Sequence, residues 1–86
     1  MYYIYVLQSM RFDYRYVGRT KDLKRRLEEH NAGRTSSNTA YKPFQVLYVE
    51  EVQGYTAACR REKYLNSSAG RRYIKSRFDS PPGSPL

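Results

Sequence analysis

The hydrophobic pattern changes period several times along the chain, and each change marks an element. Residues 2–8, YYIYVLQ, form a nearly unbroken β-prone run. Tyr3, Tyr5 and Leu7 share one face and Tyr2, Ile4 and Val6 the other, so this strand is expected to be covered on both sides. Ser9–Asp13 reads as a polar hairpin loop. Residues 14–18, YRYVG, read as a second strand paired antiparallel with the first. Gly18 is expected to end that strand, either because the backbone there needs a conformation that only glycine tolerates or because something approaches it closely. Apolar spacing then becomes helical from Leu23 to about Asn31, with Thr20 as N-cap, Asp22 in the first turn and Gly33 as stop. Residues 32–43 read as a small, polar, basic loop, and 44–52, FQVLYVEEV, as a third strand broken by Gly54. Residues 56–66 and 68–77 read as two further helices, the last with Tyr73 and Ile74 facing in. The order ββαβαα predicts an α/β domain of α+β type over 1–77: a three-stranded antiparallel sheet flanked by helices. The Pro-, Gly- and Ser-rich residues 78–86 are expected to form a flexible tail.

Two helices carry charge where apolar groups are expected. On a wheel of about 100° per residue with Leu23 at zero, Leu27 falls near +40°, His30 near −20° and Arg26 near −60°. The only histidine and one arginine therefore share the leucine face. Lys24, Arg25, Glu28 and Glu29 point away and can pair at i,i+4. Arg26 could simply snorkel to water from the edge of the stripe. On the second helix, with Ala58 at zero, Glu62 falls near +40° and Leu65 near −20°. An inward glutamate is often the partner of a buried arginine, or a metal ligand.

Composition narrows the partners. The chain has 86 residues and a formal charge of +8, which favours phosphate-rich partners, although a merely basic protein would look the same. Arg34, Lys42 and the hydroxyls and amide of loop 32–43 could line a phosphate path or be plain linker chemistry. With one cysteine, Cys59, an internal disulfide is impossible and cysteine-based zinc ligation implausible. Cys59, beside two alanines, reads as small buried filler. No apolar run reaches membrane-spanning length, and MYYIYVLQS lacks the charged start of a signal peptide. The expectation is a cytoplasmic protein without membrane contact.

Tyr5, Tyr16, Arg26, His30 and Glu62 can converge if both helices pack on the sheet. Such a group suits phosphodiester hydrolysis, which needs a divalent cation, a guanidinium for developing charge and a base for water. A tyrosine serves as that base only if nearby cations or metal lower its pKa of about 10. Residue types alone leave the tyrosines open as ordinary core.

The run Tyr3-Ile4-Tyr5, the run Tyr16-Val17-Gly18 and an arginine eight residues beyond that glycine resemble the GIY-YIG nuclease superfamily. GRTKDLKRRLEEHNAG and RREKYL resemble its small stand-alone, single-domain members. Tyr3 stands where glycine is usual, and Val17 where isoleucine is. The resemblance covers residues 2–77 and implies roles. Tyr5 would be the general base or water-positioning group, and Tyr16 would help hold nucleophile and phosphate. Arg26 would stabilise phosphate charge, and His30 would assist proton transfer or positioning. Glu62 would hold one Mg²⁺ or Mn²⁺. Asn66, four residues beyond Glu62, is a further polar candidate at shorter spacing than the family's. Arg19, Lys24, Arg25, Arg34, Lys42, Arg71, Arg72 and Lys75 would follow the nucleic-acid backbone with little base readout. The implied function is a metal-dependent DNA endonuclease, selective for single-stranded DNA more than for repair junctions, or directed by a protein partner. The alternatives are a non-catalytic nucleic-acid-binding module of the same fold and a scaffold that meets a protein through loop 32–43.

Overall fold

Because both faces of the first strand are apolar, it occupies the middle of the sheet. The computed structural model describes residues 1–35 and 38–79. In it β1 (Tyr2–Ser9) pairs antiparallel with β2 (Arg15–Thr20) on one side and β3 (Phe44–Val52) on the other, giving the order β2-β1-β3. Three helices complete the expected sequence: α1 (Leu23–Asn31), α2 (Tyr55–Asn66) and α3 (Ser68–Phe78). Ile4, Val6 and Val17 pack with Ala58, Leu65 and Ile74 beneath α2 and α3. Tyr5 and Leu7 pack with Phe44, Leu23 and Leu27 beneath α1. A register shift opposite Val6 and Leu7 adds Leu47 to β3, where it joins Tyr48 in the cluster under α2 and α3.

Several boundaries depart from the sequence reading. Gly18 does not end β2; it lies inside the strand, opposite Tyr5. The N-cap of α1 is Asp22, whose side chain accepts from the Arg25 N–H, while Thr20 Oγ1 accepts from the Asp22 N–H one step earlier. Two capping-type residues compete here, and the one adjoining Leu23 closes the first turn. A short 3₁₀ turn at Thr39–Tyr41 interrupts loop 32–43, and Ser36 and Ser37 lie outside the described residues. Helix α3 runs one residue past 77, and most of the expected tail, residues 80–86, is likewise outside them. Tyr73 is 38% exposed with its ring edge-on to Tyr48, while Ile74 alone of the pair is buried, and Cys59 is only half-buried. Among the described residues no helix is long and apolar enough to cross a membrane.

Ion pairs fix how the helices sit. Arg61 of α2 donates to both oxygens of Glu50 on β3, at 2.7 and 2.8 Å, a two-point grip that sets the roll of α2. Asn31 closes α1 onto β3 by accepting from the Phe44 N–H at 2.6 Å and donating to its carbonyl at 3.2 Å. Ser67 both ends α2 and caps α3, so the corner between them is tight. A Cβ on Gly70 would stand 2.1 Å from the Tyr64 carbonyl oxygen and 2.5 Å from Leu65 Cα. These are backbone atoms that cannot rotate aside. Gly70→Ala should therefore destabilise the protein by about 1–3 kcal/mol, read as a lower urea midpoint at unchanged slope. An unchanged midpoint would show that the corner opens freely.

Candidate active site

Tyr5 and Tyr16 leave paired strands on the face that α1 covers, and Gly18 decides how they meet. A Cβ on Gly18 would lie 2.6 Å from Tyr5 Oη and 2.8 Å from the Tyr16 ring. The two tyrosines thus occupy volume a side chain would need, which is the close approach that the sequence reading held as an alternative. Their ring centroids are 6.1 Å apart.

His30 enters from the last turn of α1 and is fully buried. Its Nε2 lies 3.1 Å from Tyr5 Oη, and its ring centroid is 4.8 Å from that of Tyr16. On the other side, Nδ1 faces Thr35 Oγ1 at 3.0 Å and Asn38 Oδ1 at 3.3 Å. Thr35 donates its own hydrogen to Asn38 Oδ1 at 2.6 Å. An amide oxygen only accepts, so Nδ1 carries the imidazole hydrogen and Nε2 is left bare to accept from Tyr5. Burial lowers the His30 pKa against the opposing pull of the Asn38 bond, so the ring is neutral at neutral pH. Burial also pushes the Tyr5 phenol up to about 12, although the Arg26 guanidinium pulls it back. The lowered tyrosine pKa that sequence reasoning required does not hold in the free protein, because 1% exposure outweighs one neighbouring cation.

Arg26 is half-buried, donates to Glu29 Oε1 at 2.9 Å and acts electrostatically on Tyr5. Glu29, expected to point away, is drawn back to this arginine, which holds its carboxyl below the usual range. Arg25 reaches the same carboxylate at 3.4 Å, as the i,i+4 spacing predicts. Glu62 is also half-buried and accepts a hydrogen bond from Arg19. Arg19 stands 5.2 Å from the Tyr55 ring and donates to its hydroxyl at 3.2 Å. Of the five residues named from the sequence, Tyr5 is the hub: His30 bonds it, Tyr16 lies beside it, Arg26 acts on it, and the charge of Glu62 reaches it most weakly. Asn66 stands apart from them; it donates to the Glu62 carbonyl and accepts from Arg71.

The cations named as backbone contacts divide between two faces. Lys24, Arg25, Arg34 and Lys42 are exposed on or beside α1 and its following loop. Arg71, Arg72 and Lys75 are exposed on α3, across the sheet. Arg71 and Lys75 line a cleft of about 250 Å³ there with Arg15, which is bound to Asp79. Arg19 is engaged by Glu62. Thr35 and Asn38, read from the sequence with the rest of this loop as a phosphate path or linker chemistry, instead hold His30; the loop has no period that shows which way its side chains turn. The signal available was an asparagine within reach of a helix whose buried face ends in histidine.

Because the chain has a single histidine, its titration can be followed without ambiguity. Long-range ¹H–¹⁵N spectra at neutral pH should show the Nδ1–H tautomer, and the midpoint should fall below the usual 6.5. Gly18→Ala should displace Tyr5 and move that midpoint upward. An Nε2–H tautomer would refute the network.

A family model described as the GIY-YIG catalytic domain matches residues 1–74. The UPF0213 protein SpyM3_1077 of Streptococcus pyogenes serotype M3 is 41% identical over 61 residues, 70% of this chain and 65% of that protein. The UPF0213 protein M5005_Spy1151 of serotype M1 matches to the same extent. The chain thus aligns with slightly less than two thirds of the length of these relatives. The solution NMR structure of the UPF0213 protein BH0048 from Bacillus halodurans shares the fold, with a TM-score of 0.54 at 24% identity over 93% of this chain and 87% of that one. With a glycine cradling two tyrosines, a histidine bonded to one of them and an arginine acting on it inside a matching domain, the chain belongs to the GIY-YIG family, a superfamily of nucleases.

Proposed function

We propose that the chain is a divalent-metal-dependent endonuclease hydrolysing DNA phosphodiester bonds, with preference for single-stranded or structured DNA. One observation carries this reading: the Tyr5 hydroxyl faces a bare imidazole nitrogen whose partner nitrogen has its hydrogen locked between Thr35 and Asn38. Attack of water on phosphorus needs a proton acceptor. As a water proton reaches the Tyr5 oxygen, the phenol hydrogen has a lone pair waiting at His30 Nε2. Tyr5 then never bears a full negative charge, which its burial would oppose. Arg26 stays charged beside that oxygen and meets negative charge as it builds there and on the phosphate. Tyr16 offers a second hydroxyl at the edge of the site to orient water or a phosphate oxygen.

Glu62 fits the role of metal carboxylate. Among the described residues no cluster of three or more His, Cys, Asp or Glu could hold an ion, which argues against a protein-built cage. A single carboxylate suits Mg²⁺ or Mn²⁺, which keeps waters and takes phosphate oxygens. When bound, the ion neutralises phosphate charge and assists the leaving oxygen. Glu62 must exchange Arg19 to hold it, and the freed guanidinium then joins the cations that meet the DNA backbone. Selection of the cleavage site falls to the shape of the strand or to a protein partner.

The hold of Arg19 on Glu62 favours a second reading, a nucleic-acid-binding module without chemistry. Labelled single-stranded, duplex and branched DNA incubated with Mn²⁺, Mg²⁺ or EDTA separates the two. On the nuclease reading the metal supports cleavage, EDTA stops it, and Glu62→Ala and Arg26→Ala each lose about 10²–10³-fold or more. Cleavage should also fade as pH drops below 6.5 toward the depressed His30 value, since a protonated Nε2 cannot accept. Arg19→Ala should strengthen Mn²⁺ binding, measured by electron paramagnetic resonance, by freeing Glu62. Binding that weakens steeply with salt, but no cleavage in either metal, installs the second reading.

A further inference from the structure

The β1–β2 hairpin is less polar than its sequence suggested. Met10 is 61% exposed and Phe12 48% exposed at its tip, flanking the exposed Arg11. Exposed apolar groups on a loose loop mean little, but this tip is tied down. Ser9 is buried, its hydroxyl donates to the Tyr41 carbonyl at 2.6 Å, and its oxygen accepts from the N–H groups of Arg11 and Phe12. The Gln8 amide donates to the carbonyls of Ser9, Phe12 and Tyr14. Met10 N–H donates to the Pro43 carbonyl at 2.9 Å. The fold thus leaves about half of an aromatic side chain in water at a fixed place, which is unfavourable unless something covers it.

Phe12 is also the outer end of a row of rings. It meets Tyr41 edge-on with centroids 5.7 Å apart, and Tyr41 stacks on Tyr14 at 3.9 Å. Tyr14 adjoins Phe44 at 6.3 Å, and Phe44 adjoins His30 at 5.8 Å. The row lies on the face that carries Tyr5 and Tyr16 and ends at them. Its outer end is cationic: the Arg11 guanidinium sits 5.4 Å from the Phe12 ring, and exposed Lys42 follows Tyr41. A purely apolar partner would have to desolvate these charges, whereas a nucleic acid supplies phosphate for the cation and a base for the ring.

We propose that Phe12, with Arg11 and Met10, is a stacking platform for an unpaired base of a single-stranded nucleic acid. The strand it anchors runs toward Tyr5 and Tyr16. This deepens the nuclease reading by naming the substrate class, and it rests on that reading for the direction of the strand. Bases paired in a duplex stack on each other and offer no free face to Phe12.

The test needs no catalysis. The full chain is titrated with a fluorescent oligothymidine and with a duplex of equal length, in EDTA, by anisotropy. Phe12→Ala should weaken oligothymidine binding by about fivefold to a hundredfold with the salt slope unchanged, because stacking is lost and no phosphate contact is. Arg11→Gln should instead lower that slope. The chain has no tryptophan, so Phe12→Trp adds a lone indole, excited selectively beyond the tyrosine band, that should keep the affinity and be quenched by oligothymidine but not by duplex. Unchanged affinity in Phe12→Ala overturns the proposal, as does emission in Phe12→Trp that saturating oligothymidine leaves unmoved or that duplex quenches equally. If the ring dependence holds while wild type cuts nothing in Mg²⁺ or Mn²⁺, the platform stands and the nuclease reading falls.

Discussion

The site exists because one side chain is missing. Gly18 sits inside β2 directly opposite Tyr5, and the space its Cβ would take is filled by the Tyr5 hydroxyl and the Tyr16 ring. With any larger residue there, Tyr5 could not lie across the edge strand, and its hydroxyl would lose His30. Sheet order reinforces this. β1 is central and buried on both faces, so Tyr5 cannot escape sideways, while β2 is an edge strand that leaves Tyr16 partly open to solvent. One tyrosine is fixed and dry, the other is reachable.

Around that pair the charges are kept apart by burial. The inner layer is neutral: a phenol, an imidazole, a threonine and an asparagine, joined by hydrogen bonds whose directions follow from the acceptor-only oxygen of Asn38. The outer layer is ionic, with Arg26 on Glu29 and Arg19 on Glu62, each pair half-exposed. Pairs at that depth contribute little to stability, and their value lies in holding each guanidinium at a known place. The Asn38 amide nitrogen is buried and has no hydrogen-bond partner among the described residues, a cost that is consistent with its oxygen being the atom the fold needs.

Periodicity made much of this readable. Arg26, His30 and Glu62 stood out because a helix of about 3.6 residues per turn places them beside leucines and an alanine, where charge is unexpected. The tyrosines could be assigned only through family resemblance, since alternation in a strand is the same for a core tyrosine and a reacting one. A glycine in sequence looks like a break, so Gly18 reads as a strand end; the close approach expected there holds, but what approaches it depends on what lies across the ladder. Thr35 and Asn38 belong to a loop, where only tertiary structure decides contacts. The Arg19–Glu62 pair joins residues 43 apart, beyond any local pattern. The hairpin tip reads as polar on average, although two exposed apolar side chains flank its arginine.

The order in which the site's parts appear along the chain has a consequence for folding. Tyr5, Tyr16, Arg26 and His30 all lie in the first thirty residues, on a hairpin and the helix that follows it. Such a segment can form early, because its contacts are short-range. Glu62 comes later, on α2, and the Arg61–Glu50 grip that sets the roll of α2 exists only where β3 lies in place beside β1. In the proposed chemistry, a half-folded chain would own the proton-handling groups but not the carboxylate for the ion. A nascent or partly opened molecule would then be inert toward the cell's own nucleic acid, and the long-range closure of the fold would act as its safety catch.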